Sequence, residues 1–531
     1  VAGPEFSFSP LDLAIIGLYA AVILGKGIWL ARARADTAED YFLAGRNVVW
    51  PLVGISLFAS NISSTTLVGL AGDAYATGIS VFNYEWMAAL VLAFYAIFLA
   101  PAVLRSRVFT MPEFLERRYD GRVRTGFSLL TLFLNIVVDT AGSLYAGAVI
   151  FRLVLPEVPI WQTMAALAIL AGFYTILGGL KAVIYTDAMQ GVLLVVGSIV
   201  ITLTAWSRIG GWREVVAGVP AEKLSLIRPV GDPGVPWPGL LLGVSLLGFY
   251  FWCTNQFMAQ RLLAARNLDH ARWGSLFAGF LKLPVLFIMV LPGTFALLLY
   301  PELSATPDLV YPTLLFDLLP AGLLGLVFAG FVAALMSQID STLNSASTLV
   351  TMDFISRRYP HLSPRQLKRI GQGVTFVFML LAVAWAPQIE RFPSLFKYLQ
   401  ATLSFTVPPI VALFLVGLFW GRANAAGAFT AFVAGLASGG VLFWLVVVEQ
   451  AFDLHFLYAA PMLFAVSVSV LVVVSLATSA EPREDVEELL WTPRSFSNES
   501  AQLRGQPYWK NYRLLGMALL VVTALLVATF W

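Results

Sequence analysis

The sequence predicts an all-α, polytopic membrane protein of about fourteen transmembrane helices, and three observations carry that expectation. Of its 531 residues, 59% are hydrophobic and 12% charged, with a mean hydropathy of +0.81. A soluble chain carries roughly twice that charge fraction. The apolar residues gather into runs near the ~20 residues a helix needs to cross a hydrocarbon core. The lysines and arginines alternate between rich and poor loops. Such runs must be helical, because lipid satisfies no unpaired backbone group.

The runs fall near 10–31, 49–71, 80–104, 125–153, 158–178, 183–207, 236–256, 271–300, 312–352, 367–386, 393–420, 424–448, 455–478 and 512–531, numbered here as spans one to fourteen. The ninth is long enough to hold a short extra helix ahead of its span. With the N-terminus outside, inner loops collect groups such as Arg32, Arg34 and Arg46, or Arg357, Arg358, Arg365, Lys368 and Arg369. The total is roughly 24 basic residues inside against 6 outside, a strong positive-inside bias. It places both termini outside a plasma or bacterial inner membrane, with lipid as the surrounding partner. The opening residues lack a charged region and cleavage site, so no removable signal peptide is expected.

Composition also excludes. One cysteine, Cys253, permits no intrachain disulfide. Three histidines and a net charge of +2 give no sign of a nucleic-acid partner, and no obligate protein partner is evident. Zinc spacings, phosphate loops and Ser-His-Asp constellations are missing, so no enzyme is expected.

Span two reads Gly54-Ile-Ser56-Leu-Phe-Ala59-Ser60-Asn61-Ile62-Ser63-Ser64-Thr65-Thr66, a polar cluster unsuited to lipid. Span seven reads Gly243-Val-Ser245-Leu-Leu-Gly248-Phe-Tyr250-Phe251-Trp252-Cys-Thr254-Asn255-Gln256. Both open on Gly-x-Ser-Leu, five spans apart. Five is odd, so a repeat of that length is inverted. Interrupted helices at matching positions of two halves point to a binding site at mid-membrane. The chain then divides into an N-terminal extra helix and inner loop (1–48), a first five-helix repeat (49–207), an outer loop (208–235) and a second repeat (236–420). Two additional helices (421–478), an inner polar segment (479–511) and a last helix (512–531) complete it.

Glu85, Asp139, Asp187, Lys282 and Asp340 fall inside spans. Each costs at least ~2.5 kcal/mol by insertion scales, so such residues face a cavity or a partner. Glu85 and Lys282 either pair or both bond the hydroxyls of a neutral solute. Asp187 binds a cation or snorkels to the interface. Span nine sets Ala334, Ser337, Ser341, Asn344, Ser345 and Thr348 on one face, which suits close packing, a hard cation, or both. A channel would need a continuous polar pore, whereas these polar residues concentrate near the middle of a few helices.

At these residues the sequence resembles the solute:sodium symporter family, and within it the sodium/glucose cotransporters. The matching stretches include Ser56–Ile62, Tyr84-Glu85-Trp86, Gly178–Asp187, Phe249–Gln256 with Gln260-Arg261, Phe280–Leu283, Asn344–Asp353, Tyr398-Leu-Gln400 and Gly417-Leu-Phe-Trp420. They run in order across essentially the whole chain. The resemblance implies sodium-coupled import of a sugar such as glucose or galactose by alternating access. Inositol or a monocarboxylate is the alternative solute, and a sugar-binding sensor without transport the alternative activity.

By position, Asn61, Glu85, Lys282 and Gln400 correspond to sugar-hydroxyl contacts, and Phe251 and Trp252 to aromatics that stack on or gate the sugar. The backbone of Ala59, Ile62 and Ala334, with the Ser337 hydroxyl, corresponds to the principal sodium site. Asp187 matches an aspartate tied to sodium coupling or a second ion. Four departures stand out. Thr66 replaces a Gln or His of the pocket, Phe251 a tyrosine, Ala88 a polar residue and Gln338 the second serine of the sodium site.

Overall fold

A computed structural model describes residues 7–31, 38–154, 156–392, 394–478 and 484–531. Arg32 and Arg34 lie outside the described residues, and so do some side chains within helices, including those of 172–183 and 185–187. The architecture is all-α: no strand forms among the described residues. Nine helices there are long and apolar enough to cross a bilayer, or up to twelve if each of three bent pairs is one span. Pro10–Val22 and Ile160–Ala171 are shorter apolar stretches; the expected fourteen counts both, although Ile160–Ala171 and Ala188–Ile209 belong to one helix here.

Both polar clusters interrupt their helices. Span two is Trp50–Asn61 followed by Ser64–Thr77, bent by 57°. Span seven runs Trp237–Thr254 and Gln256–Leu263, parted by Asn255 in extended conformation (φ −61°, ψ 127°). The short helix expected ahead of span nine is Val310–Leu318, set off by Gly322 at φ +85°.

Two further bends were not anticipated from hydropathy. Leu268–Lys282 meets Leu286–Leu299 at 41°, and Leu395–Thr406 meets Pro408–Phe419 at 51°. Pro284 and the Pro408-Pro409 pair are the cause, since proline removes a donor and clashes with the preceding turn. Between spans five and six the sequence predicts a turn near 179–182, yet the helix is assigned unbroken from Ile160 to Ile209. Gly178 and Gly179 weaken a helix without removing its hydrogen bonds, and no proline stops it there.

Burial runs opposite to that of a soluble protein. Ser341, Ser345 and Thr348 of span nine are buried, while Leu129, Phe133, Val192, Leu380, Val473 and Leu525 are exposed. The window of span nine is 83% buried against 22% for spans twelve and fourteen. Spans four and nine, both 83% buried, thus form the core, and spans ten, twelve, thirteen and fourteen its flank. Span two lies directly on span eight: a Cβ at Gly54 would stand 2.8 Å from the Gly274 carbonyl, and one at Gly274 2.7 Å from Val53. Only glycine permits that approach. The polar segment after span thirteen contributes Pro493–Leu503, whose Glu499 accepts from Arg272 Nη2 at both oxygens (2.9 and 3.0 Å) and from the Tyr512 hydroxyl (2.7 Å).

Candidate functional site

The break in span two is built by its own polar residues. Ile62 still donates to the Phe58 carbonyl (2.9 Å), but at ψ 79° it leaves the helix. Ser63 then caps the second half, its hydroxyl accepting from Thr66 N–H (3.3 Å) and sharing a hydrogen bond with Thr65 (2.6 Å). The Thr66 hydroxyl turns back to the Asn61 carbonyl. Hydroxyls thereby satisfy part of the backbone that a broken helix leaves open.

The break in span seven is prepared one turn earlier. Tyr250–Thr254 winds as a π-helical turn, which inserts a residue and rotates the side chains that follow. The Asn255 side chain accepts from Phe257 N–H (3.3 Å) and stands near Asp139 of span four. Asp139 itself sits in a second π-helical turn, Asn135–Thr140.

Between the two breaks lies a cavity of about 110 Å³. Asn61, Thr66, Glu85, Phe251, Trp252 and Gln400 all line it. Lys282 does not. Its ammonium, fully buried, forms an ion pair with Glu85 from behind and lies 5.4 Å from the Trp252 ring and 5.7 Å from the Phe58 ring. The Glu85 carboxylate therefore stands between the lysine and the cavity. Asn61 Oδ1 is buried with no partner. Phe251 and Trp252 meet edge to face at 5.3 Å. The cavity also uses Tyr84, Phe396 and Leu399, to which sequence reasoning gave no role, and Asp139, which it gave no specific one. Only Asp139 carried a signal, as a charge inside a span.

Asp187 apart, the expected cation ligands lie on spans two and nine. Span nine packs against both halves of span two. Gln338 turns toward the solute cavity, which it lines, with its Oε1 3.5 Å from the Thr65 hydroxyl. The lower stripe of span nine is occupied by cross-helix bonds: Arg261 to Ser341 (2.7 Å), Gln260 to Thr348 (2.8 Å) and Asn135 to Ser345 (3.2 Å). The Asp187 side chain lies outside the described residues. Carbonyl and hydroxyl oxygens form a hard donor set that fits sodium. No group of three His, Cys, Asp or Glu able to hold a metal occurs among the described residues.

A profile of the sodium:solute symporter family matches residues 41–435. The chain belongs to that family. This symporter is 36% identical to sodium/myo-inositol cotransporter 2 of Oryctolagus cuniculus, over 92% of this chain and 80% of that one. It is 35% identical to sodium/glucose cotransporter 4 of Danio rerio, over 94% and 83%. The fold is shared with a substrate-bound, outward-open sodium-coupled sialic acid symporter at TM-score 0.77 and 23% identity, covering 89% of this chain and 99% of that one. Symport by this chain is sodium-coupled.

Two aromatic rings pack against each other in the wall of the symporter's cavity. The Tyr84 and Phe396 rings meet edge to face at 5.0 Å, and Phe396 rests on Gly69 at 3.5 Å from where a Cβ would be. Above them the 301–309 loop sits on span two, the Pro307 carbonyl 2.6 Å from a Cβ built on Gly72. Asp308 accepts from the Leu395 N–H (3.1 Å), an end group of the helix that carries Gln400. Burial pushes the Asp308 carboxyl up to about 6, only partly offset by that hydrogen bond; Asp73 and Lys397 stand nearby. A carboxyl raised in this way favours the seated loop below about pH 4. That contribution is lost as the pH climbs through 6. Asp308→Asn is therefore expected to flatten the pH dependence of loop seating between pH 4 and 6. Labelling of a cysteine introduced at Leu70 would report it, and an unchanged profile would clear Asp308.

Proposed function

We propose that this symporter imports a neutral, polyhydroxylated ring, a hexose such as glucose or galactose, by alternating access across a cell membrane. The observation that carries this reading is the position of Lys282 behind Glu85. No unpaired cation faces the cavity among the described residues, and the Asp139 carboxylate does. A monocarboxylate would find nothing to neutralise it. A ring of hydroxyls would find the Glu85 carboxylate, the amides of Asn61 and Gln400, and the faces of Phe251 and Trp252. The cavity has room for on the order of eight waters, which suits one small ring. Inositol fits the same description, and relatives named for myo-inositol and for glucose support the two equally.

The test is uptake of a labelled panel of hexoses, inositol and monocarboxylates into proteoliposomes, with and without an inward sodium gradient. Accumulation of a carboxylate alone would overturn the reading, as would binding without accumulation. Phe251→Tyr returns a hydroxyl to the wall and should alter solute selectivity more than sodium affinity. A change in sodium affinity alone would move Phe251 away from the solute.

In the same proposal, fourteen spans place both termini outside. Sodium lies where the carbonyls of Ala59 and Ile62 meet Ala334 and the Ser337 hydroxyl, so binding ties span two to span nine. One sodium ion gains about 2.3 kcal/mol from a 100 mV potential and about 1.4 kcal/mol from a tenfold gradient. That supports roughly 500-fold accumulation. Ser337→Ala should raise the sodium concentration for half-maximal uptake severalfold, while Gln338→Ser, which replaces a side chain turned toward the solute, should leave it equal or lower. Uphill uptake driven by protons in sodium-free buffer and indifferent to Ser337→Ala would sink this mechanism.

A further inference from the structure

A second concavity, far larger than the solute cavity at about 750 Å³, opens on the flank of the helix bundle. Its wall joins the start of Gly121–Leu134, the end of the long span-nine helix, and Phe429 of span twelve. Three exposed arginines, Arg122, Arg357 and Arg358, crowd its polar end. The carboxylates there are committed. Asp353 is buried and accepts from Arg124 (2.6 Å), Ser128 (2.5 Å) and Thr110 (2.8 Å). Glu116 pairs with Arg124 (2.6 Å) and Arg357 (2.8 Å), and Asp120 pairs with Arg122 (2.7 Å). Four arginines thus meet three carboxylates, a surplus of one positive charge. Arg358 makes no ion pair among the described residues and has only the Tyr359 ring, 6.0 Å away.

The other end of the groove is apolar. Arg122, Thr125, Leu129 and Phe133 recur at three and four residues on one helix face, and all are exposed. That face passes from guanidinium to bare hydrocarbon in about 16 Å, close to the ~15 Å depth of one leaflet. Phe354 faces it, and the Phe429 ring lies 5.1 Å from the Arg122 guanidinium, where the two ends meet. A free anion would use only the arginines and leave this slope uncovered.

We propose that this groove binds one anionic phospholipid, its phosphate among Arg122, Arg357 and Arg358 and an acyl chain along Leu129 and Phe133. On the orientation proposed above it belongs to the cytoplasmic leaflet; binding itself does not depend on that orientation. Basic pockets between membrane helices bind anionic headgroups in this manner. A zwitterionic lipid brings no net charge to match the surplus.

The test is native mass spectrometry of the intact symporter in detergent, titrated with phosphatidylglycerol, phosphatidylcholine or inorganic phosphate. Phosphatidylglycerol should be retained over phosphatidylcholine. R122Q/R358Q should weaken phosphatidylglycerol about 25-fold, about fivefold per arginine, without changing the phosphatidylcholine background. Should the double variant fold poorly, R358Q alone should show the fivefold loss, since its guanidinium holds nothing else together. Leu129→Asn should weaken the lipid as well. Unchanged phosphatidylglycerol affinity in R358Q would overturn the proposal, and so would equal retention of phosphatidylcholine. Displacement of the lipid by inorganic phosphate would reduce the groove to a simple anion site and overturn it too.

Discussion

Lys282→Ala is expected to cut solute affinity on the order of 100-fold while leaving a folded protein. Lys282 supplies the one cation bonded to the Glu85 carboxylate among the described residues, inside the bundle and away from water. Removing one partner of a buried pair costs about 3–5 kcal/mol, because the other charge stays buried. The solute then loses hydrogen bonds to a well-held carboxylate, each worth about 1.5–3 kcal/mol. The sign of the coupling separates positioning from contact. If Lys282 acts by holding Glu85, Glu85→Gln/Lys282→Ala should bind solute better than Lys282→Ala alone, since the amide relieves the stranded charge. If Lys282 touches the solute itself, the double variant should be the worse of the two. Wild-type affinity in Lys282→Ala would remove the pair from the site.

The two broken helices were legible because their cause is compositional. Hydroxyls and amides inside an apolar run have few uses in lipid, and Asn61–Thr66 and Asn255 are where the chain breaks. The stripe on span nine was legible by period, and its lower hydroxyls proved to be cross-helix partners. Whether Lys282 or Glu85 stood nearer the solute was not legible. Both fall inside predicted spans and match known symporters equally, and only three-dimensional order puts the carboxylate in front. The π-helical turns that present Trp252 and Asp139 also escaped, because a single inserted residue leaves no mark on hydropathy. Asp139 was visible as a charge out of place, but its neighbour Asn255 lies over a hundred residues away. The bends at Pro284 and Pro408 were there to be read from proline alone, and counting apolar residues passed over them.

The other large effect is expected at Arg118→Ala, on stability rather than on binding. Arg118 ends the helix Met111–Arg118 and is buried against the end of Pro408–Phe419. Its guanidinium donates to the carbonyls of Gly417 (2.7 Å), Trp420 (2.9 Å) and Ala423 (2.9 Å). A helix leaves its last carbonyls without partners, and a cation at that end also meets the negative pole of the helix dipole. The neighbouring Tyr119 hydroxyl donates to the Leu413 carbonyl (2.9 Å) and would stand 2.7 Å from a Cβ on Gly417. That contact accounts physically for the glycine of Gly417-Leu-Phe-Trp420. Losing three charge-assisted bonds, with the Trp420 carbonyl keeping only its bond from the Ala423 N–H (3.2 Å), should cost about 3–5 kcal/mol. The thermal midpoint in detergent should fall on the order of 5 °C. Because the same bent span carries Gln400 at its other half, uptake should fall further than the loss of folded protein explains. Arg118→Lys keeps the charge but not the planar fork, so it should recover only part of the midpoint. Full recovery by lysine would show that charge alone caps this helix, and a wild-type midpoint in Arg118→Ala would show that water replaces the cap.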